Sequence, residues 1–386
     1  MHMRNLFFLA CTAIVVFSSC RKYEYITLSG NSNENFAQKT ISILSAPFNS
    51  ADQASPCTLE IFDKNGVVVK QKKVAAAAIN FQKWTIGNSV RYTYIEYDPK
   101  SYHIPTIGYV SGSAVLLDSN LNELNRFRLL PFNGRTASDE SALDGHDFIL
   151  IDDNHYIAES YFEKQVNNIP ASLSPAAGGK VVCPVIQEVQ NGKVVWEWDG
   201  SDYPEFYTTS IEGNAFNNTV AKTADYMHIN SMFVDPKDNN LICSFRNMDQ
   251  VVKINRKTGN IVWRLGGTNS DFPLTADQKF LRQHYAYLTD NNNTLIMVDN
   301  GDATLRPYSR IVEFQLNETN KTVVGFKSYV LPNNMFIQFM GSVQKAGSTY
   351  YIGCGSLPKY IEVNNKTSEI THEIDLPNPS YRTLRY

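Results

Sequence analysis

Several things are scarce in this 386-residue chain. There is no CxxC pair, no run of basic residues, no long stretch with apolar residues at helical spacing, and only seven histidines. Without paired cysteines neither a zinc knuckle nor a dithiol redox site can be built. Without a basic run, and with 35 Lys and Arg against 38 Asp and Glu, the chain carries a net charge of −3. That balance repels a phosphate backbone and disfavours nucleic acid as a partner. The missing 3.6-residue periodicity argues against helical bundles.

The one sustained apolar run is at the start. Arg4 precedes LFFLACTAIVVF, and Ser18-Ser19-Cys20 follows. A basic start, a short apolar core and small residues before a cysteine form a secretion leader of the bacterial lipoprotein type over residues 1–20, with Cys20 the lipidated residue. The apolar run is short for a membrane span of about 20 residues. The expected location is the bacterial cell envelope, lipid-anchored, in the outer membrane on its periplasmic or surface face. Losing Arg4 with the leader takes the net charge to −4. Residues 21–40, polar and rich in Asn and Ser, read as a tether. Cys57, Cys183, Cys243 and Cys354 then remain, widely spaced, with Cys243 and Cys354 in apolar strand contexts that suit buried thiols.

What the chain does have is a repeat. HDFILIDDNHYIAES from His146, HINSMFVDPKDNNLICSFRN from His228 and HYAYLTDNNNTLIMVDNG from His284 open three copies of one pattern, and a fourth starts at Gly341. An earlier partial copy, from Ser113, shows two outer strands. Each copy alternates short apolar strands with Asn/Asp/Gly turns, the signature of four-stranded propeller blades. The 21 Tyr and 21 Phe suit an all-β fold. The expected architecture is a β-propeller over residues 76–386, with six blades if the C-terminal strand around Tyr381–Tyr386 joins an N-terminal segment. Residues 41–75, with a turn at Asn65-Gly66, read either as a small β segment of their own or as the outer strands of that last blade.

Equivalent positions of propeller blades meet at the axis, so His146, His228 and His284 are expected to converge there. Arg246, eighteen residues after His228, joins them. Three imidazoles and a guanidinium suit an oxyanion. A metal held by three imidazoles, as in a metal-dependent oxygenase, is the rival reading. It wants a fourth histidine where Gly341 stands, and Arg246 opposes a cation. The Thr258–Trp263 segment, TGNIVW, fits a quinone-cofactor dehydrogenase or simply a turn followed by a packed tryptophan. A non-catalytic lipoprotein that binds a glycan or an envelope partner is a further class. His103, His155 and His372 read as surface or satisfied core residues.

The block from Asp225 to Gly267, DYMHINSMFVDPKDNNLICSFRNMDQVVKINRKTGNIVWRLGG, together with GHDFILIDDNHYI around His146, LRQHYAYL around His284 and SRIVEF from Ser309, resembles the arylsulfotransferase family. These bacterial enzymes move a sulfuryl group between phenols without a nucleotide donor. The resemblance implies a six-bladed propeller with its site in the central channel, and the absence of an obvious metal or nucleotide motif implies that no cofactor is needed. The resemblance further implies His284 as nucleophile, His228 and Arg246 on the sulfuryl oxygens, and His146 in proton transfer or binding. The partners it implies are an aryl sulfate donor and a phenolic acceptor, alongside the membrane lipid at Cys20 and, as an open option, a second copy of the chain. The segment from Thr268 to Gln283 lacks the short disulfide loop of periplasmic members, and the amino-terminal third departs from the family pattern.

The chemistry of the residues agrees. Fixed donors around sulfuryl oxygens stabilise the charge of the transition state. Arg246 binds bidentately and keeps its charge, and it also pushes the pKa of a nearby His284 down, preserving a lone pair. A histidine adduct would split the transfer into two steps, with His146 or His228 passing the proton. Tyr161, Tyr226, Phe245 and Tyr285 are the ring-binding candidates, with Tyr287 beside them, because they flank or align with the histidines and Arg246. Aromatics also dominate β cores, so packing is the competing role for each.

Overall fold

The computed structural model describes residues 43–47, 53–101, 104, 108–134, 142–176, 179–217, 223–290 and 292–386. Cys20, the leader, the tether over 21–40 and His103 lie outside the described residues. Six antiparallel sheets form the blades of a propeller. Their innermost strands are Ala78–Ile86, Phe148–Asp152, Ile229–Val234, His284–Thr289, Ser342–Ala346 and Ser380–Arg385, which define blades 1 to 6. Each inner strand touches the next, and the last touches the first, so the ring is closed.

Closure is made by hydrogen-bonded strand pairing. Ser380–Arg385 pairs with Ile43–Pro47, opposing Leu384 to Leu44, and Cys57–Phe62 and Val68–Val74 complete blade 6. The strands Ile43–Pro47, Cys57–Phe62 and Val68–Val74 are therefore the outer strands of the last blade, the second of the two readings open in the sequence, and residue 76 falls between two blades. The partial copy at Ser113 is likewise the outer pair of blade 1, Ser111–Leu117 and Glu123–Phe127.

Apolar residues of each strand alternate into the layers between blades, where they form the cores. The Thr258–Trp263 segment takes the packing role. Gly259 turns at φ +78°, where a Cβ would come within 2.9 Å of the Tyr203 hydroxyl, and Trp263 is buried with its Nε1 donating to Glu318 at 2.9 Å. Cys183, Cys243 and Cys354 are buried free thiols, and Cys57 is a half-buried one. His155 bonds Glu188 at 2.6 Å, and His372 sits on the outer strand Ile370–Asp375 of blade 5.

At the axis the blades are tied by charge. Arg382 of blade 6 donates from Nη1 to Asp147 Oδ1 at 2.8 Å and Asn80 Oδ1 at 2.9 Å, and from Nη2 to Asp147 Oδ2 at 3.1 Å and the Asn230 carbonyl at 3.0 Å. Asp147 also accepts from the Met232 amide at 2.6 Å. Strand irregularities at one level of three inner strands, between Ile79 and Gln82, Ile229 and Ser231, and His284 and Tyr287, create this inward-facing layer.

Replacing Asp147 by Ala leaves a buried guanidinium without its counter-charge. The expected loss is about 3–5 kcal/mol in urea unfolding, with a smaller loss in a variant in which Arg382 is also replaced by Met.

Candidate functional site

Blades 2, 3 and 4 deliver the three histidines to one mouth of the channel, where each inner strand begins. His146 and His228 meet edge to face, with ring centroids 4.8 Å apart. His284 and Arg246 are near enough for the arginine charge to act on both His228 and His284, and His284 also feels His146 and His228. All three rings are buried. Backbone at the site is bent out of the usual regions, with φ of +55° at His228, +54° at Arg282 and +64° at Met340. Such conformations cost about 1–3 kcal/mol each and are held by surrounding structure.

Each ring is fixed through Nδ1. Asp144, two residues before His146, bonds His146 Nδ1. Asp225, three residues before His228, bonds His228 Nδ1 at 2.8 Å. His284 Nδ1 faces Asn300 Oδ1 at 2.8 Å and the Arg282 carbonyl at 3.1 Å. Asn300 is itself oriented, since its amide donates to the Ile337 and Met340 carbonyls at 2.9 Å each. Both neighbours of His284 Nδ1 are pure acceptors, so the proton resides on Nδ1 and Nε2 keeps its lone pair, which accepts from the Met340 amide at 3.3 Å. The same logic leaves Nε2 of His146 and His228 as the outward atoms.

The electrical settings differ. Burial, and then the Arg246 charge, hold His284 well below the ordinary histidine range. Burial also lowers His228, against the opposing pull of Asp225. Burial works against the Asp225 charge as well, yet the His228 ring outweighs it and the carboxyl lies below its usual range. Close to His146, burial and then the adjacent Asp144 charge push Glu159 well above the ordinary carboxylate range. Asp144, His146 and Glu159 are the one set of acid and histidine side chains, among the described residues, within reach of a shared cation. His146 Nδ1 and Asp144 are already engaged with each other. The three imidazoles do not form such a set with one another.

Arg246 uses Nη1 for Glu212 and Asn247, both at 2.7 Å, and Glu212 also pairs with Arg282, which reaches Asp302 at 2.7 Å. The rest of the Arg246 guanidinium has no partner among the described residues.

The aromatic candidates divide. Tyr161 belongs to the site: its centroid is 6.1 Å from both His146 and His228, and its hydroxyl donates to the Ile229 carbonyl. Tyr226 does not. It packs into the blade core against Tyr207, with centroids 4.7 Å apart. Phe245 lies between Trp198 and Phe206 in the same core. Tyr285, turned by a φ of +56°, faces the opposite half of the channel with Tyr287. Two rings absent from the sequence expectations complete the wall: Tyr109, 5.4 Å from His228, and Tyr381, 5.5 Å from His146. Gly108, at φ +109°, lies against His228, where a Cβ would approach Cε1 to 3.3 Å. Asp144 and Asp225 carried a signal in their short spacing to the histidines, whereas Tyr109, Asn300 and Tyr381 carried none.

The depressed histidines set a pH dependence. With the folded values of His228 and His284 below the unfolded one, the unfolded chain binds more protons as pH falls through about 6.5, so stability is full above that value and declines below it. His284→Asn is expected to flatten that decline in unfolding curves taken from about pH 7.5 to pH 5, and the His284 ring signal in NMR is expected to stay neutral over that range.

Among curated proteins none matches the chain in sequence. Among solved structures it is similar to apo AztD of Citrobacter koseri, at 10% identity and a TM-score of 0.42, covering 90% of this chain and 98% of that one. It is also similar to a protein of unknown function from Bacteroides caccae, at 10% identity and a TM-score of 0.45, covering 90% and 98%. A third is the periplasmic gluconolactonase PpgL of Pseudomonas aeruginosa, at 10% identity and a TM-score of 0.41, covering 90% and 99%. The model of the arylsulfotransferase (ASST) family matches residues 61–386, a span that holds all three histidines and Arg246, and the chain belongs to that family.

Proposed function

We propose that the protein transfers a sulfuryl group from an aryl sulfate to a phenol in two steps through Nε2 of His284. Family membership supports arylsulfotransferase activity, with aryl sulfate donors and phenolic acceptors in general. The observation that carries the finer reading is the difference in what stands behind each Nδ1. Neutral acceptors, Asn300 and a carbonyl, stand behind His284, whereas carboxylates stand behind His146 and His228.

A carboxylate behind Nδ1 stabilises a second proton on Nε2; an amide oxygen does so far less. An arriving sulfate ester brings negative charge, which favours imidazolium at His146 and His228. Those two rings then donate to the sulfuryl and bridging oxygens, together with the unengaged part of Arg246. His284, kept neutral, supplies the lone pair. Its Nε2 forms a bond to sulfur as the sulfur–oxygen bond to the aryl group breaks, and the leaving phenolate takes a proton from one of the carboxylate-backed histidines. In the second half, the acceptor phenol returns a proton to that histidine while its oxygen takes the sulfuryl group from His284. Tyr109, Tyr161 and Tyr381 offer ring faces beside this position.

His284→Asn is expected to lower phenol-dependent nitrophenolate release from 4-nitrophenyl sulfate by more than about 10³-fold in chelator-treated protein, and to abolish a sulfo adduct on the His284 peptide seen by mass spectrometry after donor alone. Asp225→Asn and Asp144→Asn are expected to cost about 10²- to 10⁴-fold in the variant that disables the proton donor, with the acidic limb of its pH–rate profile displaced. Retention of full turnover by His284→Asn would sink the proposal and favour a glycan- or partner-binding role.

The same reading anchors the protein in a bacterial envelope through Cys20, on the strength of the Ser18-Ser19-Cys20 sequence after the apolar run. Metabolic labelling with palmitate is expected to mark the full chain and to be lost in Cys20→Ser.

A further inference from the structure

The channel has a second mouth. Below the layer formed by Arg382, Asp147, Asn80 and Asn230, the inner strands enclose a cavity of about 330 Å³. All six blades line it, and the histidines do not. The size is that of a small-molecule pocket.

Its walls have a consistent character. Trp84, Phe233, Tyr285, Tyr287 and Tyr386 supply rings from blades 1, 3, 4 and 6. The Tyr285 and Tyr287 rings sit 5.4 Å apart, and the buried Arg382 guanidinium lies 4.7 Å from the Tyr285 centroid, which fixes that ring as a wall. Three charged residues line the space: Lys83, Arg382 and Asp147. Arg382 and Asp147 cancel, so the lining side chains carry one net positive charge, at Lys83. Among the described residues no carboxylate pairs with Lys83, whose ammonium rests 5.7 Å over the Tyr386 ring. Burial pulls its pKa below the ordinary lysine value. An ammonium half removed from water without a counter-ion is a cost that an anionic ligand relieves. The surrounding rings favour a flat, apolar body on that ligand.

We propose that this lower half of the channel is a binding site for a small aromatic monoanion, its ring among Trp84, Tyr285 and Tyr386 and its charged group on Lys83. The ionic contact is to one ammonium, so a carboxylate and a sulfonate are both accommodated, whereas a cation meets like charge and a neutral sugar leaves Lys83 unpaired. The Arg382–Asp147 layer separates this ligand from the histidines, so the site requires nothing of the chemistry proposed there.

The test is calorimetric titration of the full-length protein with naphthalene-1-carboxylate and with its neutral carboxamide, with Trp84 fluorescence as a second readout. Saturable binding of the carboxylate is expected, weakened about tenfold or more both by the change to carboxamide and by Lys83→Gln. His284→Asn is expected to bind as the wild type does, and Lys83→Gln to keep its circular dichroism and its sulfuryl-transfer rate. Absence of binding at millimolar carboxylate, equal affinity for the carboxamide, or loss of binding in His284→Asn with none in Lys83→Gln would each overturn the assignment.

Discussion

The contact on which the rest of the molecule depends is the ion pair between Arg382 and Asp147. It is buried, with side-chain exposures of 2% and 4%, and it joins the closing strand to blade 2 while the same guanidinium reaches blades 1 and 3. Salt bridges removed from water gain little net stability, because desolvation offsets attraction. Their effect is to select one arrangement. A slip of one residue in the Ser380–Arg385 strand would turn Arg382 away from the axis and leave Asp147 uncompensated, so the pair fixes the register of closure as well as the level of the channel floor.

That floor divides the channel by chemistry. Above it stand three buried rings held from behind through Nδ1: carboxylates for two histidines, an amide and a carbonyl for the third. Below it stand aromatic walls and one ammonium. Inner strands of a propeller all run the same way along the axis, so residues at strand starts collect at one mouth and residues at strand ends at the other. One repeat thus yields two unlike environments from a single set of strands.

Much of this was legible in the sequence, for physical reasons. Strand alternation and turn composition repeat with the blades, so the architecture and the convergence of His146, His228 and His284 could be read from register. Position next to a histidine proved a poor guide to the channel. Tyr226 precedes the turn at His228 and points into the blade core, and Phe245 alternates away from Arg246 into the same layer. Tyr285 follows His284, yet its positive φ carries the ring to the other side of the floor. Alternation predicts facing only where the backbone stays extended, and functional positions are where it departs from that. The pairing of Arg382 with Asp147 spans 235 residues and left no local trace.

Closure of the ring by its two most distant strands has a temporal side. Arg382 and Asn80 meet across 302 residues, a contact of the kind whose loop entropy must be met before any reward. Blades 1 to 5 can each form from neighbouring sequence, but blade 6 cannot. Until it does, blade 1 and blade 5 present bare flanks to each other. Topology therefore favours sheets early and the ring last. Slow maturation, and exposure of unpaired strand edges during it, come with the architecture.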